Sequence, residues 1–189
     1  VSAGPLRQPQ LRPDDLDPEQ RTLYDSIVSG PRKGGAFELV DEDGVLQGPF
    51  GGFLLSPPVG DALQRLGAAI RYRTSLSGRM RELAILLVAA HHHSGFERHA
   101  HEATGTVVGL TAAEMHAIHS GSIPDGLEPA ELAVAELTRA MLAGDVDDRL
   151  WARCVPELGA RTAYELLVLV GYYSTLALQM RVLRTDLPD

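Results

Sequence analysis

The chain of 189 residues carries 17 basic and 25 acidic side chains, a formal charge of −8 with neutral histidines. That length supports one domain with a real core, and the acidic balance argues against a nucleic-acid surface or an anionic membrane as partner. The single cysteine, Cys154, excludes an internal disulfide and is expected in the core.

Residues Val1 to Leu16 are rich in proline and have no apolar period, so an extended N-terminal arm is expected over 1–16, loose or draped on a neighbour. Asp17-Pro18-Glu19-Gln20 reads as a helix start, with Asp as cap and Gln completing a capping box. That helix runs to about Ser29. Phe37 to Leu46 reads as two short extended segments around the Asp43-Gly44 turn. Gly48-Pro49-Phe50-Gly51-Gly52-Phe53 reads as a loop whose glycines permit close backbone approach. Ser56-Pro57 opens a helix to near Ser75, and Ser77 caps another over Arg79–His93. Ser94-Gly95 breaks the chain before a polar helix that ends at Gly109. Thr111-Ala-Ala-Glu114 caps a short helix through His119. Pro129 to Ala143 is strongly amphipathic. A short helix follows around Trp151, and Thr162 to Glu165 caps a last long one ending near Leu183. The expectation is an all-α bundle over 17–189 packed around Leu83–Ala90, a segment that is apolar on every side.

The longest uncharged run, Leu166 to Met180, is shorter than the ~20 residues a membrane span needs, and no signal peptide is recognised. A cytoplasmic protein with no membrane partner is expected, with the uncharged helix at a subunit contact.

The titratable groups concentrate between Arg79 and Gly109. Five of the seven histidines lie there, and His116 and His119 follow. Ser94, Glu97 and His101 stand at i, i+3 and i+7, within roughly 60° of one helix face. Glu82 and His93 nearly share a face of the preceding helix. Folding at Ser94-Gly95 brings the two faces toward one pocket. A buried Glu82 there is expected to have a raised pKa, with His101 as its proton-transfer partner. The competing reading makes Glu97–His101 a surface pair and Glu82 a complement to the helix dipole. His91, His92 and His93 point in three directions and cannot share one metal. His116 and His119 lack the frame of a known metal motif, so no metal and no cofactor are expected.

Arg81-Glu-Leu-Ala-Ile-Leu86, Phe96-Glu97, His101, Gly109-Leu110-Thr111 and Glu114 together resemble the carboxymuconolactone decarboxylase family, which includes the AhpD-type alkylhydroperoxidases. The resemblance is strongest from Pro49 to Ile118. It implies an AhpD-like helical bundle and a homo-oligomer, a trimer or hexamer. The peroxidase members use a glutamate, a CxxC pair and a histidine, and Glu82 and His101 match the glutamate and the histidine. Ser94 and Glu97 stand where the cysteines would be, so thiol peroxidase chemistry is not expected.

The decarboxylase members manage without the cysteines and imply acid/base work on a small organic acid or lactone. Glu82, Glu97 and His101 are the catalytic candidates. Arg71, Arg73 and Arg81 are candidates to hold a substrate carboxylate, and each competes with a plain solvated helix face. His93 is placed at the same site. Phe50, Phe53, Leu83 and Leu87 are the expected apolar walls. Two alternatives stand beside this decarboxylase-like lyase: a metal-dependent enzyme using the histidine-rich segment, and a non-catalytic oligomeric binding protein.

Overall fold

The computed structural model describes residues 5–31 and 38–185. Among the described residues the chain forms α1 (Pro18–Val28), α2 (Pro49–Phe53), α3 (Pro57–Tyr72), α4 (Gly78–His92), α5 (Gly95–Val107), α6 (Ala112–His119), α7 (Pro129–Ala143), α8 (Asp148–Leu158) and α9 (Ala160–Leu183). The all-α bundle with an extended N-terminal region is the one expected from sequence. The only pairing of extended backbone among the described residues is a single bridge, Val40 to Leu46.

α4 is the axis of the bundle because its middle is apolar on every side, and its one buried carboxylate, Glu82, is paired. Eight consecutive residues, Glu82 to Ala89, are buried. Ala84, Ile85 and Val88 face the larger core with Leu137, Leu166, Leu169 and Leu176. Leu83, Leu86 and Leu87 face a smaller one with Leu110 and Ile118. A helix apolar all round therefore has α5, α6, α7 and α9 packed about it. Arg79 ties its N-terminal end to two neighbours. Its Nε donates to Glu131 at 2.7 Å, and its guanidinium also pairs with Glu114.

The kink at Ser94 forms because His93 takes a left-handed φ of 51° and ends α4. Ser94 then caps α5, its hydroxyl accepting from the Glu97 amide. α5 is thereby turned back along α4, which carries Glu97 and His101 toward Glu82.

Three local expectations change. The Gly48–Phe53 loop contains a helical turn, α2, started by Pro49. α3 ends at Tyr72, before Ser75. α9 begins at Ala160 after Gly159, so Thr162 lies inside it and is buried rather than capping it. The arm, over its described residues, lies along its own chain: the Arg7 amide donates to the Leu183 carbonyl at 3.0 Å, and Gln8 is buried beside Gly51 and Gly52. Phe37 and residues 1–4 lie outside the described residues.

α9 spans 24 residues and is long and apolar enough to cross a membrane by length and composition alone. Here it packs on α2, α3, α4, α7 and α8, with Leu166, Leu169, Val170 and Met180 buried. Its opposite face leaves Tyr164, Leu167, Leu178 and Val182 exposed.

Candidate active site

Glu82, on the second turn of α4, is fully buried. An isolated carboxylate there would be prohibitive, and charged groups surround it. His101 Nδ1 lies 2.6 Å from Glu82 Oε2. Arg81 Nε lies 3.5 Å and Arg71 Nη1 3.8 Å from Glu82 Oε1. On the far side of the imidazole, His101 Nε2 lies 3.3 Å from Glu97 Oε2. The ring is thus held between two carboxylates, one from α4 and one a turn earlier on α5.

The electrostatics follow from these contacts. Burial pushes the Glu82 carboxyl up, but the hydrogen bond and charge of His101, with Arg71 and Arg81 behind them, overcome it and hold the group below its ordinary value. The raised Glu82 pKa expected from an apolar wall is therefore overturned, because the wall is not apolar at Oε1 and Oε2. Burial likewise pushes His101 down, and the two carboxylates reverse it, holding the imidazole above its ordinary value. Both shifts favour the charged pair, with His101 Nδ1–H donating to Glu82 Oε2. Arg71 is disfavoured by burial but kept charged by its hydrogen bond to Tyr173 and by Glu82. Burial raises the Tyr173 hydroxyl, so it stays protonated.

A cavity of about 120 Å³ opens beside this cluster. Arg71, Glu97 and His101 supply its charged lining. Its walls are Phe50, Tyr72, Phe96, Tyr172 and Tyr173, half of the chain's ten aromatic residues. Tyr173 meets the His101 ring edge-on at 5.3 Å. At the rim the Tyr72 hydroxyl donates to the Pro31 carbonyl at 3.2 Å. Phe96 is seated by Gly48, whose positive φ and missing side chain let the ring lie directly on the backbone.

The structure separates the candidate residues. Glu97, His101, Arg71 and Phe50 line the cavity. Glu82 stands one layer behind, reaching it through His101. Arg81 is also outside the lining and sits against Glu82. Arg73 is exposed where α3 ends, one residue beyond Tyr72. His93 is exposed because the left-handed cap turns it out of the α4–α5 angle. Phe53 is buried edge-on to Phe50, supporting that wall from behind. Leu83 and Leu87 belong to the smaller core on the other side of α4. Sequence reasoning missed Tyr72, Phe96, Tyr172 and Tyr173 as walls. The available signal was the adjacent Tyr172-Tyr173 pair, the only aromatic residues in the uncharged run.

No group of three or more His, Cys, Asp or Glu side chains gathers as a metal site would require, among the described residues. Cys154 is buried on α8, its Sγ 3.6 Å from Glu136 Oε2, and takes no part in the cavity.

Residues 57–140, from α3 into α7, match the model of the Carboxymuconolactone decarboxylase family. That segment contains Arg71, Glu82, Glu97 and His101. No curated protein matches the chain. Among solved structures, a cysteine-to-alanine variant of the debrominase Bmp8 in complex with 2,3,4-tribromopyrrole is 13% identical, with a TM-score of 0.72, covering 98% of this chain and 93% of that one. The apo form of Bmp8 gives 13% and 0.72, covering 100% and 94%. At that identity the likeness shows a shared fold and nothing of substrate.

Proposed function

We propose a cofactor-independent enzyme of proton transfer, such as decarboxylation, on a small organic acid or lactone, a reading supported by the match of residues 57–140 to the model of the Carboxymuconolactone decarboxylase family. The observation that carries this is the Glu82–His101–Glu97 chain, which brings a charged imidazole to the wall of an aromatic cavity beside Arg71. A histidine clamped between two carboxylates is an oriented proton store. Arg71 supplies the fixed positive charge that an enolate or carboxylate needs in a site of low dielectric.

In a decarboxylation the C–C bond to the carboxylate breaks, CO₂ leaves, and the electron pair stays on the substrate as an enolate facing Arg71. The proton passes from His101 Nε2–H through the Glu97 carboxylate to the substrate carbon. Glu82 keeps the imidazole charged and oriented and touches no substrate. By the family resemblance Glu97 stands where the peroxidase members carry a cysteine, and the one cysteine is elsewhere, so thiol chemistry is not assigned to this pocket. A debrominase shares the fold, which is why the residues and not the architecture select the reaction.

The test is a screen of carboxylated lactones and keto acids in deuterated water, read by NMR for deuterium entering the product carbon. Turnover is expected in the wild type and lost in Glu97→Gln and His101→Gln. Wild-type turnover in both variants would overturn the reading.

A further inference from the structure

Resting on that proton-transfer reading, we infer that the cavity takes a single flat ring bearing one anionic group and one N–H or O–H donor. The argument starts from size. A dry protein cavity of ~150 Å³ accommodates benzene, and this one measures about 120 Å³. The enclosed part therefore holds no more than one five-membered ring, whose substituent reaches the open side of the cavity, and a fused bicycle exceeds it.

Shape comes next. The chain has ten aromatic residues, and five of them face this one cavity. Tyr173 lies edge-on to both His101 and Tyr172, at 87° and 90°. Walls of perpendicular aromatic faces and edges suit a flat guest, because ring pairs are favoured in stacked and T-shaped contacts. A flexible aliphatic acid gains apolar burial there but none of the ring–ring contacts.

Polarity sets the rest. Arg71 presents a guanidinium to the cavity, hydrogen-bonded to Tyr173 and with its Nη1 3.8 Å from Glu82 Oε1. The fork geometry of arginine accepts a planar carboxylate. Glu97 lines the cavity, and its Oε1 is buried without a hydrogen bond. A carboxylate turns readily about its last torsion. A donor carried by the ring satisfies the unmatched oxygen by a hydrogen bond, which docks the ring on the same carboxylate the proposed reaction uses.

The experiment is calorimetric titration of the intact chain with five small molecules. Pyrrole-2-carboxylate carries all three features. Furan-2-carboxylate removes the donor at constant shape. Tetrahydrofuran-2-carboxylate removes flatness as well. Pyrrole removes the anion, and indole-2-carboxylate adds a second ring. Pyrrole-2-carboxylate is expected to bind, and each deletion and the added ring to weaken it by about tenfold or more. Arg71→Lys is expected to weaken the carboxylates and leave pyrrole unchanged. No binding of pyrrole-2-carboxylate, or equal binding of furan- and tetrahydrofuran-2-carboxylate, overturns the inference. The ligand series needs no variant to fold. The series holding while no acid exchanges deuterium sinks only the proton-transfer reading. Turnover of aliphatic acids with no ring bound sinks only this inference.

Discussion

His101 Nδ1 and Glu82 Oε2 stand 2.6 Å apart in the interior, although nineteen residues and a helix break separate them in sequence. The consequence for stability has two opposite limbs. Glu82 is held below 4.5, so its contribution is present above that pH and is lost as pH falls through the folded value. His101 is held above 6.5, so its contribution is fully present below that pH and is lost as pH rises through the folded value. Both operate between 4.5 and 6.5. Thermal melts across pH 4–9 should show the highest Tm in that window and a decline on its alkaline side. Glu82→Gln should lower Tm near pH 6 by roughly 10 °C, because losing one member of a buried pair costs about 3–5 kcal/mol. It should also flatten the alkaline decline. A Tm that keeps rising from pH 6 to 8.5 would contradict the assignment.

Glu97 contributes to the cavity wall, where Glu82 does not. Their substitutions should therefore separate. Glu97→Gln keeps the volume and should lower Tm by less than Glu82→Gln, because its contact with His101 is longer, 3.3 Å against 2.6 Å, while lowering kcat by about 10²–10⁴-fold, the range for a lost general acid or base. Arg71→Lys keeps the charge and loses the planar fork, so it should act mainly on KM. Steady-state kinetics on a substrate from the screen decide this. A Glu97→Gln variant altered only in KM would reduce Glu97 to a binding group.

Gly48 tests how the aromatic wall is built. A Cβ at this position would lie 2.1 Å from Phe96 Cζ, and the backbone φ is +58°. Gly48→Ala combines left-handed strain of about 1–2 kcal/mol with overpacking of about 1–3 kcal/mol. The expected result is a Tm lowered by roughly 5–15 °C and loss of ligand binding as Phe96 is displaced. Gly121→Ala is the control for strain alone, since its φ is +83° and nothing lies within 4 Å.

These residues show where sequence was informative. The break at Ser94-Gly95 and the 3.6-residue period placed Glu97 and His101 on one face, and an all-apolar α4 identified the bundle axis. Helical phase says which residues share a face but not how far that face lies from solvent. Glu82 therefore read as a pocket residue, while the fold buries it behind His101. Arg71 and Arg73 were equivalent in composition, and the end of α3 at Tyr72 separates them: one turns inward, the other outward. Tyr172 and Tyr173 were hidden because an aromatic pair in an apolar helix looks like core, and its meeting with Arg71 arises from α9 packing on α3 over about a hundred residues of sequence.

Cys154 is the only thiol, and burial, with Glu136 beside it, pushes its pKa up. A thiol kept protonated is a poor nucleophile. Hydroperoxide reduction coupled to a dithiol is expected to be absent, and Cys154→Ala to change neither that result nor turnover of the substrate found by the screen. Peroxide reduction that vanishes in Cys154→Ala would show that this thiol is reached after all.

The outer face of α9 carries the prediction on assembly. Tyr164, Leu167, Leu178 and Val182 are each about half exposed or more, and they recur at helical spacing along one side. Gly171 and Thr175 lie between them on the same side, and nothing stands within 4 Å of where a Gly171 Cβ would be. Trp151, also exposed, extends the patch from α8 toward Tyr164. A contiguous apolar stripe with a shallow centre is a surface that water disfavours and a second helix can approach closely. A second copy of this chain is the expected occupant, since an exposed stripe along one helix is self-complementary about a twofold axis. Sedimentation velocity should therefore show a homo-oligomer, dimeric or built from such dimers. The double substitution Leu167→Glu with Leu178→Glu should shift it to smaller species while circular dichroism retains the helical signal. Both side chains point away from the core, so the change burdens the interface and not the fold. A wild-type chain that sediments as a single monomeric species at tens of micromolar would leave the stripe without this role.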